Sequence, residues 1–130
     1  MENKIPAQLK NWVYNDEYIG YDDVVSCFGN IVVQVDDEDY SGDARYLLEK
    51  DGKYGYIIIG FGSCSGCDWL LGCDTEAEKE SLIFDIKNDI KWFDNLSDLQ
   101  RYVSKKDWEL EYSWRAEETK DFINKVINLK

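Results

Sequence analysis

The stretch "ARYLLEKDGKYGYIIIGFG", residues 44 to 62, constrains the fold more than any other part of this chain. Two strand-like runs flank Lys50-Asp51-Gly52-Lys53, and Asp-Gly is a strong turn dipeptide for a β-hairpin. The second arm, Tyr54 to Phe61, is apolar on both faces, as a central strand must be. Upstream, "NIVVQV" (30–35) is β-branched and reads as a further strand. It runs into the acidic turn "DDEDYSGD" (36–43).

Helical patterns surround this sheet. "PAQLKNWVYN" (6–15) predicts a short opening helix with Pro6 in its first turn and Leu9, Trp12 and Val13 on one face. "DTEAEKESLIFDIKND" (74–89) predicts a longer one, with Asp74 or Thr75 as N-cap and Leu82, Ile83, Ile86 and Ile90 as its buried stripe. In "NLSDLQRYV" (95–103) Ser97 and Gln100 stand at capping-box spacing. "DWELEYSW" (107–114) alternates Trp108, Leu110, Tyr112 and Trp114 with polar residues, the period of a half-buried strand. "AEETKDFINKVINLK" (116–130) closes the chain with a stripe of Phe122, Ile123, Val126 and Ile127. The expected fold is therefore α+β: a mainly antiparallel sheet with helices on one face. No repeat and no Gly/Ser linker divides the 130 residues, so residues 1–130 are expected to form one domain.

Straight after the apolar strand, "GFGSCSGCDWLLGCD" (60–74) places Cys64, Cys67 and Cys73 within ten positions, and Cys27 lies far upstream. The chain has no histidine. A C-x2-C in a glycine-bearing turn lets two sulfurs converge on one ion at about 2.3 Å each. Cys73 and Cys27 would supply the third and fourth corners, giving a closed, structural four-cysteine zinc site that staples the fold. Without histidine, any site must be all sulfur, or sulfur plus Asp68 or Asp74. Two other readings stay open. A C-x-x-C between strand and helix is also the thioredoxin arrangement, but that fold needs a proline opposite the disulfide and Pro6 is the only proline. Cysteines can also pack as small apolar residues, which suits Cys27 better than the clustered three. Trp69, Leu70 and Leu71 are expected to cover the site and join the core.

Charge limits the function. The chain carries 27 acidic and 15 basic residues, a formal −12 at pH 7, which repels nucleic-acid phosphates and attracts basic surfaces. From residue 15 to 45 nine acidic residues face Arg45 alone. With Tyr14, Tyr18, Tyr21 and Tyr40 interleaved, Asp22, Asp23, Asp36, Asp37, Glu38, Asp39 and Tyr40 are the candidate partner-binding face. The plain alternative is a solvated acidic loop. No phosphate-binding glycine loop, dinucleotide fingerprint, EF-hand or histidine-based catalytic pair is present, so no catalysis is indicated. The N-terminus lacks a signal-peptide pattern and no apolar run reaches membrane-spanning length, so a cytosolic setting with reduced thiols is expected.

"YSGDARYLLEKDGKYGYIIIGFGSCSGCDWLLGCDT" resembles a group of small phage and bacterial proteins. These share a Gly-Asp before a hairpin, then Gly-Ser-Cys-Ser-Gly-Cys-Asp, then a third cysteine. Here the pattern falls on Gly42-Asp43, Gly62 to Asp68 and Cys73, and with "IKWFD" it covers about residues 40 to 93. A small, acidic, non-enzymatic phage-type protein with a thiol-metal site is also similar in profile to anti-CRISPR inhibitors of the Cas9 nuclease. That likeness is one of profile, so it carries over no contact residues. It implies a protein that binds Cas9 through its acidic face and blocks target DNA loading. The rival expectations are a thiol oxidoreductase or redox sensor using Cys64 and Cys67, and a bacterial immunity or regulatory binding module.

Overall fold

The computed structural model describes residues 5–37, 42–62, 68–106, 108 and 116–130. A short 3-10 turn, Ala7–Leu9, leads into α1 (Lys10–Asn15), then α2 (Tyr21–Val25). Next come β1 (Asn30–Asp36), β2 (Gly42–Lys50), β3 (Lys53–Phe61), α3 (Glu76–Asp89), β4 (Lys91–Phe93), α4 (Leu96–Lys105) and, as α5, Ala116–Ile127. The strands form one antiparallel sheet in the order β1-β2-β3-β4.

The hairpin forms where the sequence places it. Lys50 faces Lys53 across a two-residue turn in which Asp51 has φ 54° and Gly52 φ 84°. Two positive φ values make the turn twist with the strands it joins.

The sheet differs from expectation in one large respect: helices cover both of its faces. Ala44, Tyr46, Leu48, Ile57 and Ile59 pack against Leu9, Trp12 and Val13, against Val24, and against Leu82, Ile83 and Ile86. Through the opposite face Val33, Val35, Leu47 and Tyr56 pack against Leu99 and Val103 of α4, Trp108, and Phe122 and Val126 of α5. The reason lies in β3, whose odd and even side chains are both largely apolar, and in Leu47 of β2, which faces away from Ala44, Tyr46 and Leu48, so a single helical layer would leave one set in water. β1 joins both cores through a register shift between Ile31 and Val33. That one-residue bulge turns Ile31 toward the first core and Val33 toward the second.

The helix ends decide between two expected caps and correct a third expectation. Thr75, not Asp74, caps α3: its side chain accepts from Glu78 N at 3.1 Å, and the Glu78 carboxylate accepts from Thr75 N at 3.0 Å. On α4 the cap is Asn95, which accepts from Asp98 N at 2.8 Å, and Ser97 plays no capping role. Gln100 instead reaches the last turn of α5, where its side-chain amide donates to Val126 O (2.9 Å) and Leu129 O (2.8 Å). Of the α5 stripe, Phe122 and Val126 are buried but Ile127 is 39% exposed. Within the segment expected as a strand at 107–114, Trp108 is helical and the other positions lie outside the described residues.

Candidate binding cleft and cysteine segment

Asp22, Asp36, Asp37 and Asp68 come together at one end of the sheet, where β1 and β3 finish and β2 begins. There a cleft of about 350 Å³ is lined by Tyr18, Tyr21, Asp22, Asp36, Tyr46 and Asp68, among others. Its carboxylates do different jobs. The Tyr46 hydroxyl donates to Asp22 at 2.5 Å, and the Gln34 amide donates to both Asp22 (3.0 Å) and Asp36 (2.9 Å). Burial pushes Asp36 above the ordinary aspartate range; the Gln34 hydrogen bond opposes this and the nearby Asp22 charge adds to it. Two carboxylates sharing one amide repel each other, and a cation seated between them would relieve both.

Asp37 is not free to meet a partner. It is buried, and its carboxylate pairs with the fully buried Arg45 at 2.9 Å while accepting Asp43 N at 2.7 Å. Removing one member of such a pair strands the other charge in the core, so Asp37 serves the fold. This corrects its place on the expected binding face. Asp23 gives one oxygen to Gly20 N at 2.9 Å, capping α2. Glu38, Asp39 and Tyr40 lie outside the described residues. Of the tyrosines expected at the surface, Tyr14 and Tyr18 are exposed, whereas Tyr21 is buried.

Tyr21 and Asp68 form a clasp that composition alone does not reveal. The Tyr21 hydroxyl donates to Asp68 Oδ1 at 2.9 Å and accepts from Leu70 N at 2.9 Å. Asp68 also accepts from Gly62 N (2.7 Å) and Leu71 N (3.1 Å). Gly62 and Asp68 thus hold together the two ends of segment 63–67, which itself lies outside the described residues. With a donor on each carboxylate oxygen, Asp68 organises the chain around this segment.

Cys64 and Cys67 fall in that undescribed segment; Cys27 and Cys73 are half-buried free thiols against the first core. Cys73 Sγ donates to Trp69 O at 3.3 Å, and Cys27 Sγ to Asp23 O at 3.2 Å. Burial pushes both thiols up, helped by Glu78 beside Cys73 and Asp23 beside Cys27, so each stays protonated unless a cation joins it. Cys73 follows the Asp68 clasp directly, with its N–H on Leu70 O at 3.3 Å, at the end of the sheet where β3 stops at Phe61. Cys27 instead precedes the start of β1, where Asn30 faces Glu49 and Glu49 faces Tyr54. Tyr54 and Phe61 lie nearly the full length of β3 apart, about 23 Å at roughly 3.3 Å per residue. Among the described residues no three Cys, Asp or Glu side chains converge as a metal-holding group. Leu70 joins the core as expected, but Trp69 (40%) and Leu71 (43%) are exposed.

Among the described residues no helix is long and apolar enough to cross a membrane. No family model matches the chain, and neither the curated proteins nor the solved structures contain a match to it.

Proposed function

We propose that this chain is a non-catalytic, acidic binding module of phage type that occupies a basic, nucleic-acid-binding surface on a host defence protein. The observation that carries the reading is the cleft at the Phe61 end of the sheet, where Asp22 and Asp36 share Gln34 beside the exposed Tyr18. Carboxylates that repel each other and sit near rigid aromatic rings suit an incoming lysine or arginine. The formal charge of −12 would steer such a partner from a distance, and aromatic burial would set how slowly it leaves. Cas9 with its guide is the first candidate partner, on the strength of the likeness in profile alone.

Zinc belongs to the same proposal as a structural element. Cys64, Cys67 and Cys73 would hold it beside the cleft, because Cys73 adjoins the clasp that closes segment 63–67. Cys27, the fourth expected ligand, precedes β1 at the hairpin end of the sheet. A zinc ion there would supply folding energy and no reaction.

The test is target-DNA loading onto the Cas9–guide complex with and without the protein. Loading should fall with the native chain and recover when Asp22→Asn and Asp36→Asn are combined. Unchanged loading overturns Cas9 as the partner; failure to retain any basic protein in a pull-down overturns the binding module itself. Against the redox rival, thiols that become reactive only after chelation mean metal, and thiols reactive without it mean redox chemistry.

A further inference from the structure

The strand order leaves β1 paired on one side only, with β2. Among the described residues nothing pairs with its outer edge. Asp37 N–H donates to Asp43 O at 2.9 Å, which sets the alternation along the strand. Val33 and Val35 direct their amides at β2, so the N–H and C=O groups of Gln34 and Asp36 point outward. The bulge near Val32 ends the regular edge, leaving Val33 to Asp36 as its open run.

The two sides of that edge differ chemically. On one side Gln34 holds Asp22 and Asp36 together. On the other, an open groove of about 560 Å³ runs between β1 and α5, lined by the apolar Val32, Val33 and Leu129 together with Gln34, Asn124, Lys125 and Asn128.

We propose that the outer edge of β1 accepts an extended segment of the basic partner as a fifth strand. Its lysine or arginine side chains meet Asp22 and Asp36 on one face, and its alternate apolar side chains enter the groove beside α5. The inference rests on the reading of the chain as a binder of basic proteins and adds how that binding is made. Strand addition gains affinity from main-chain hydrogen bonds and specificity from the side chains that alternate between the two faces. Charge complementarity selects the occupant. A second copy of this chain would bring another Asp22–Asp36 pair and another −12 to the same edge, and like charges across a strand pair destabilise it.

The experiment uses the full chain and a short peptide of alternating valine and lysine, followed by amide hydrogen exchange. Gln34 and Asp36 amides should become protected on binding. Methylating the peptide's alternate amide nitrogens should abolish binding, and Asp36→Asn should weaken it about threefold to fivefold. Equal binding of the methylated peptide with both amides unprotected overturns strand addition while leaving the basic-partner reading intact. Failure of the peptide when the Cas9–guide complex still binds overturns it likewise. Failure of both peptide and complex, with no basic protein retained in a pull-down, defeats the underlying reading. A sedimenting dimer with these amides already protected, in the absence of peptide, assigns the edge to self-pairing and also overturns the proposal.

Discussion

Tyr21 ties the start of α2 to the chain that follows β3. Its hydroxyl bridges α2 to Asp68 and Leu70, so Tyr21→Phe leaves the buried Leu70 N–H without its acceptor and costs Asp68 a donor. That change should destabilise the fold by about 1–3 kcal/mol in a denaturant titration. Loss well below this range would mean that the clasp contributes little. Tyr21 and Tyr46 also carry a pH signature. Burial foremost, with Asp68 beside one and Asp22 beside the other, pushes both phenols above their ordinary 10.0. A group raised in the folded state binds its proton more tightly there than in the unfolded chain. Its stabilisation is therefore complete below the ordinary value and is lost as pH climbs past it. An absorbance titration of tyrosinate should show these two rings ionising only with unfolding, and their titration at ordinary tyrosine pH in the folded chain would contradict the burial argument. Little of this was visible in the residue pattern. The run at 36–39 reads as uniform surface acid, yet Asp37 is buried against Arg45 and Asp36 is not. The lone arginine among nine acids was the available signal for that pair, since an isolated cation in such a field will find a carboxylate.

Among the elements, the strongest local signals proved legible. The Asp51-Gly52 hairpin, the α3 stripe and the Leu9, Trp12 and Val13 face of α1 follow from turn chemistry and period. α2 and β4 escaped because each is too short for a period to build, at five and three residues. The second helical layer was within reach. A β3 apolar on both faces needs cover on both, and α4 and α5 carried the apolar stripes to provide it. β4 is held by a close approach: a Cβ on Gly55 would lie 2.8 Å from the Trp92 ring and 2.9 Å from Ile90 Cγ2. Gly55→Ala should therefore force β4 off β3 and cost about 1–3 kcal/mol, with Trp92 fluorescence reporting the shift. An unperturbed Trp92 in that variant would mean the sheet edge yields without strain.

At the scale of the whole molecule, polarity is built into the fold. One end of the sheet carries the hairpin turn at Asp51-Gly52, and the other carries the acidic cleft, the Tyr21–Asp68 clasp and the borders of segment 63–67. The metal proposal belongs here, because a zinc ion at that end would tie the chain leaving β3 to the start of α3. Cys67→Ser should then lower both zinc content and thermal stability, and a variant that keeps both would remove zinc from the account. The cysteine spacing suggests four converging thiols; β1, which follows Cys27, starts at the end of the sheet opposite Phe61, and Cys64 and Cys67 lie outside the described residues. The central claim is that the Asp22–Asp36 face captures a basic partner. The most direct measurement is the association rate of the protein with the Cas9–guide complex across ionic strength, for the native chain and for Asp22→Asn with Asp36→Asn. The account predicts slower association and a shallower salt dependence for the double variant; identical rates and identical salt slopes for the two proteins would contradict it.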